Sequence, residues 1–281
     1  MIVLYDSVQL HMSHAPFTRA FARIVAHACP GRRLVIRARA SHLQAAFAEP
    51  DPVLDGRLVQ EPMEEGGPGP YVRYVLRFLR ETCGGDDPPL VIFLSTQPMD
   101  AWAAKMFRRW QPRFRCHMVL HGDLGRIRAP RSRHPLHRLT DLRGSMAFAN
   151  HPDVRFLVLE PHIADALAAE LPSVANVVDA IHHPCLPAEA PWQDAPPPPR
   201  FGLVGIAGRA KGLDVFARLA RQVTDGAEFR LVGKLQPGWE ALDLGGISGP
   251  LPFSTEWLPR DVFEREVAAL RYIVLPYDMG Y

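Results

Sequence analysis

Apolar and polar residues follow two rhythms along this chain. Short continuous apolar runs have the length of buried strands: Ile2 to Tyr5, Leu34 to Ile36, Leu90 to Leu94, His117 to Leu120, Phe156 to Leu159 and Val177 to Ile181. Three more follow at Phe201 to Val204, Phe229 to Val232 and Tyr272 to Leu275, the second of them expected to turn at Gly233. Between the runs, apolar residues recur at helical spacing, as in Phe17, Phe21, Ile24 and Val25, or Tyr71, Val75, Phe78 and Leu79. Trp102, Met106 and Trp110 form a third such face. Leu213, Phe216 and Leu219 form a fourth, and Val262, Phe263, Val267 and Leu270 a fifth.

Shorter helices are expected over 42–47 and 139–149, and one opening at Glu160-Pro161, where proline suits a first helical turn. Short strands are expected near Leu58-Val59 and Ile247, with irregular basic chain over 130–137. Strand and helix alternate throughout, which predicts an α/β protein with two domains and largely parallel sheets.

Residues 186–200 hold Pro187, Pro191 and the run Pro196 to Pro199, and read as a linker between domains at 1–185 and 201–281. The length of 281 residues suits two domains. No apolar run is long enough to span a bilayer, and the start lacks the charged-then-apolar pattern of a secretory signal. Cys29, Cys83, Cys116 and Cys185 lie far apart, which argues against a zinc site or a disulfide framework and for a reduced, cytoplasmic protein. The twelve histidines include no His-Glu-x-x-His and no clustered carboxylates, so no metal is expected. No Gly-x-Gly-x-x-Gly follows the first strand, which disfavours a dinucleotide-dependent dehydrogenase.

The net charge is only +2, but its distribution is uneven. Between Lys105 and Arg143 there are eleven lysines and arginines, with Asp123 and Asp141 the only acids. Such a block can meet an anionic membrane surface or a phosphate-bearing substrate, or serve as a solvated surface. No aromatic ladder accompanies it, so nucleic acid is not an expected partner.

One stretch carries more chemistry than the rest. Arg200 to Asp214 reads as a strand, then a loop punctuated by Gly205, Gly208 and Gly212 and holding Arg209 and Lys211, then a helix. Backbone N–H groups, a helix start and a cationic side chain together can hold a phosphate. An ordinary strand–turn–helix of an α/β domain fits the same pattern.

Four places, in order, resemble GT-B fold glycosyltransferases, close to the nucleotide-sugar-dependent group that builds bacterial polysaccharides. They are Met118-Val-Leu-His121-Gly122, then Phe156-Leu-Val-Leu-Glu160 with a strand ending at His183-Pro184, then Gly202 to Gly205 with Lys211-Gly212-Leu-Asp214, and Ile273-Val-Leu-Pro276-Tyr277. The resemblance implies two Rossmann-like domains, with a sugar donated from a nucleoside diphosphate to a saccharide or lipid-linked acceptor. It implies that Lys211, with Arg209, Gly205 and Gly208, holds the donor diphosphate. It implies that His121 lines the reacting sugar and that His11 and His14 lie on the acceptor side. His183 reads as structural, at the domain boundary. No cofactor beyond the nucleotide-sugar substrate is implied.

The sequence departs from the family pattern in two ways. Ile206 stands near the place of the family's usual arginine, and the elements that follow Pro276-Tyr277 in the family do not follow here. The second domain is therefore expected to be incomplete, with an exposed last strand and poor activity from this polypeptide alone. A non-catalytic binding or partner module at a membrane surface is the alternative.

Overall fold

Strand β1 (Ile2–Asp6) is buried at all five positions, as a strand covered on both faces of a parallel sheet must be. It pairs in parallel with β2 (Leu34–Arg39) on one side and β4 (Leu90–Phe93) on the other. Beyond β2 lies β3 (Leu58–Met63), and beyond β4 lie β5 (Cys116–Leu120), β6 (Val154–Val158) and β7 (Val178–Ala180). The sheet order is β3-β2-β1-β4-β5-β6-β7. The structure is a computed structural model and describes residues 1–9, 14–63, 71–121, 127–128, 133–185, 198–223, 225–249, 256, 258–274 and 276.

Side chains of the strands alternate between two cores. Val3, Tyr5, Phe93, Met118 and Phe156 face α3 (Tyr71–Cys83) and α4 (Pro98–Trp110), meeting Phe78, Leu79 and Phe107. Leu4, Ile36, Ile92 and Val119 pack in the other core with Phe17 and Phe21 of α1 (Ala15–Ala28) and Leu43 of α2 (Ala40–Ala46). Helices α5 (Pro135–Thr140), α6 (Leu142–Ala149) and α7 (Pro161–Glu170) follow later in the same unit. Chain contacts divide the protein into Met1–Pro187 and Ala188–Tyr281. Most of the proline-rich stretch, 186–197, lies outside the described residues.

The second unit has its own four-stranded sheet. β8 (Arg200–Ala207) and β9 (Glu228–Leu235) pair over their full length, flanked by β10 (Ile247–Ser248) and β11 (Tyr272–Ile273), in the order β10-β9-β8-β11. α8 (Leu213–Gln222) and α9 (Arg260–Ala268) are its described helices. Leu203, Leu213, Phe216, Phe229 and Leu231 form its core. β11 shows Tyr272 and Ile273 to solvent, at 47% and 52% exposure. Both sheets are wholly parallel among the described strands, so each unit is Rossmann-like and the second is the smaller.

The structure corrects four local expectations. β8 does not stop at Val204, and β9 does not turn at Gly233. Gly205 and Gly233 sit opposite one another in register, so both strands continue past them. The expected helix over 139–149 is two helices, broken at Asp141, whose side chain accepts from the Gly144 N–H and starts α6. Pro135, read as part of an irregular segment, opens α5 at its first turn.

Candidate functional site

After β1 the chain steps outward through β2 and β3, then returns to β4 on the other side of β1. That reversal is the topological switch point, the place in a parallel sheet where loops part and ligands bind. Asp6 ends β1 here and is 1% exposed. The N–H groups of Val8 and Gln9 both donate to its Oδ1 at 3.0 Å, and the Ser95 hydroxyl donates to its Oδ2 at 2.8 Å. Ser95, just past β4, in turn accepts from Gln9 Nε2 at 3.1 Å. One carboxylate thus fastens the loop after β1 to the end of β4.

Beside this knot sits a group of aromatic and imidazole rings. The His121 ring, one residue past β5, lies 4.6 Å from the ring of His14 and 4.5 Å from that of Phe17. Phe17 is also 5.4 Å from His183. His14 stands at the start of α1 with φ 56°, and it is the one non-glycine residue at positive φ among the described residues. Strain of this kind tends to be kept where a site needs it.

His121 Nε2 lies 2.6 Å from the Leu94 carbonyl oxygen. A carbonyl only accepts, so Nε2 carries the proton and Nδ1 keeps a lone pair. Burial drives the His121 pKa down to about 4, and His14 and His183 add to this. The Leu94 bond and Asp6 oppose it. His14 is also lowered, chiefly by burial.

The stability consequence has a definite sign. The unfolded His121 takes up a proton near its ordinary 6.5, whereas the folded ring resists until about 4. Its contribution is therefore present above pH 6.5 and is lost as pH falls toward 4. The loss is on the order of 3 kcal/mol at most. Urea midpoints should fall more steeply across this window for the native chain than for His121→Asn. Equal slopes would show that the ring is not desolvated.

In the second unit, β8 leads into a short 3-10 turn at Arg209–Lys211 and then into α8. Lys211 is half-buried and folds back so that Nζ donates to the Val204 carbonyl at 2.7 Å. A Cβ on Gly205 would stand 2.7 Å from that Nζ, so the bare glycine makes the room the ammonium occupies. Burial lowers the pKa of Lys211. Gly212, at φ 65°, begins α8, and its N–H closes the turn on the Arg209 carbonyl. Gly208 is buried, and its carbonyl accepts from the N–H groups of Lys211 and Leu213. Arg209 is exposed.

The structure thus brings His14 and His121 together in the first unit, and Gly205, Gly208, Arg209 and Lys211 into one turn of the second. His11, Gly122 and Tyr277 lie outside the described residues. No sequence motif marks Asp6 or Ser95, and Phe17 reads only as part of a helix face. His183, read as structural, joins the ring group. Several cations of the 105–143 block are bound to groups beyond it. Arg108 pairs with Asp153 at 2.8 Å and Arg128 with Glu170 at 3.0 Å. Among the described residues, no group of three or more His, Cys, Asp or Glu is placed to hold a metal ion. No described helix is long and apolar enough to cross a membrane.

Neither a protein-family model nor a curated protein sequence matches the chain. Solved structures do. The lipopolysaccharide outer core galactosyltransferase WaaB aligns with a TM-score of 0.62 at 13% identity, over 98% of this chain and 74% of WaaB. HepE of Anabaena, solved with UDP and glucose, aligns at 0.55 and 15% identity, over 97% of this chain and 73% of HepE. The lipopolysaccharide glycosyltransferase WaaG aligns at 0.54 and 15% identity, over 99% of this chain and 75% of WaaG. The chain has a GT-B glycosyltransferase-like fold. At these identities the likeness shows the fold alone.

Proposed function

We propose that this chain, folded as GT-B glycosyltransferases are, binds a nucleoside diphosphate sugar and transfers the sugar to a hydroxyl of a saccharide or lipid-linked acceptor. The observation that carries the reading is the Lys211 ammonium, held half-buried beside the glycine turn at the start of α8. An ammonium has three donors, and the Val204 carbonyl uses one. The others, with the N-terminal turn of α8, suit a diphosphate. Negative charge grows on the diphosphate as it leaves, so a cation already in place stabilises the transition state more than the bound substrate.

The first unit supplies the reacting-sugar side. His121 is neutral at physiological pH, with Nδ1 open to accept from a sugar hydroxyl. A pKa of about 4 makes it a weak base, so its work is orientation rather than proton removal. His14 and Phe17 hold the ring in place.

Calorimetry with UDP and the other nucleoside diphosphates tests the donor side. One base is expected to bind, and Lys211→Ala to weaken it roughly 10- to 100-fold, the loss of one charge-assisted hydrogen bond. A folded chain that binds no nucleoside diphosphate, or binds one equally well without Lys211, would refute the reading.

A further inference from the structure

At the opposite end of the seven-stranded sheet, over the N-terminal ends of β1, β4, β5 and β6, lies a cavity of about 480 Å³. Its charged and titratable side chains include Arg32, Asp87, Arg115, His117, Asp153 and Arg155. The volume is that of a small-molecule site, for which about 300–1,000 Å³ is usual. It stands apart from the switch point, and neither the ring group nor the glycine turn contributes to it.

The charges here divide into those with partners and those without. Arg155 grips Asp179 through two nitrogens. Asp153 accepts from Arg108 at 2.8 Å. Carbonyls left open by loops and helix ends at this end of the sheet also have their cations. Arg57 donates to the Cys29 carbonyl at 3.0 Å, and Arg113 donates to the Asp86 carbonyl at 3.0 Å. Such bonds would make a basic residue here purely structural, and other arginines make them. The guanidiniums of Arg32 and Arg115 have no hydrogen-bond or ion-pair partner among the described residues. Of the two acids that line the cavity, Asp153 is held by Arg108, which leaves Asp87 against these two cations.

His117 adds a neutral ring. Burial lowers its pKa, and Arg155 and Arg115 lower it further, while Asp179 opposes them. At neutral pH it contributes a hydrogen-bonding edge and no charge. Two guanidiniums on one concave surface match an anion with several terminal oxygens and two negative charges better than a single carboxylate.

We propose that this cavity binds a phosphate monoester through Arg32 and Arg115. The same chemistry comes from a free sugar phosphate or from the headgroup of a lipid phosphomonoester, and two arms of one experiment separate them. In the first, glucose 6-phosphate is titrated into the full chain by calorimetry. Saturable binding is expected, weakened at least roughly tenfold in Arg32→Gln and in Arg115→Gln, and unchanged in Lys211→Ala and in Arg218→Gln. In the second, the chain is sedimented with phosphatidylcholine vesicles with and without phosphatidic acid. Retention that needs phosphatidic acid and is lost in the same two variants supports the site with a lipid as its source. Both arginines are exposed, so melting curves of the variants should match the native chain. Absence of binding in both arms, or binding indifferent to Arg32→Gln and Arg115→Gln, overturns the proposal. Because Lys211→Ala is a control here, failure of this site and failure of the donor site are read separately.

Discussion

Gly233→Ala is expected to destabilise the four-stranded unit by about 3–5 kcal/mol, combining backbone strain with overpacking. Gly233 sits at φ 144°, a conformation that L side chains rarely adopt. A Cβ there would stand 2.1 Å from the Gly205 carbonyl oxygen and 2.8 Å from its carbon. These are backbone atoms of the paired strand, so no side-chain rotation relieves the overlap. Relief requires β8 to move at Gly205, and Gly205 frames the space taken by Lys211 Nζ. Thermal melts should show a fall of roughly 10 °C or more, and nucleotide affinity should drop with it. Gly226→Ala separates the two causes. Gly226 has φ 74° but open space around it, so only the backbone strain, about 1 kcal/mol, is expected there. Equal losses at 226 and 233 would show that the strands are not in close contact.

That pair also marks where the sequence is hardest to read. Central strands of a parallel sheet are continuous apolar runs, so β1, β4, β5 and β6 are visible without any structure. Gly205 and Gly233 look like turn residues because glycine often ends a strand. Only their opposition across β8 and β9 explains two glycines inside regular pairing. The candidate site divides in the same way. His121 and Lys211 are legible because each closes a strand or a turn, and His14 because it lies on the first loop. Asp6 and Ser95 are not, because an acid after a strand reads as solvated loop. The bond that buries it spans 89 residues and depends on β1 lying beside β4. Strand order is a long-range property that local pattern does not contain. The place of His183 is hidden for a related reason. Its approach to Phe17 requires the chain after β7 to meet the start of α1.

Asp6→Ala is the second substitution with a large expected effect, about 3 kcal/mol. It removes the acceptor of two partly buried backbone N–H groups and of the buried Ser95 hydroxyl. Asp6→Asn keeps the shape and one carbonyl oxygen, and Ser95 can rotate to accept, so about 1 kcal/mol is expected. Urea unfolding measures both. The two variants share a second effect that packing alone does not produce. Asp6 raises the pKa of both His14 and His121, opposing the burial that lowers them. Without its charge, both rings should titrate at lower pH when followed by NMR, in Asp6→Asn as well as in Asp6→Ala. A loss in Asp6→Ala no larger than that of a surface substitution, about 0.5 kcal/mol, would mean that the knot does not hold the loop. Unchanged titration of His14 and His121 in Asp6→Asn would mean that the carboxylate does not reach the rings. If both effects appear, the carboxylate has two roles at the switch point. It ties Val8 and Gln9 to Ser95 at the end of β4, and it keeps the imidazoles from being still harder to protonate.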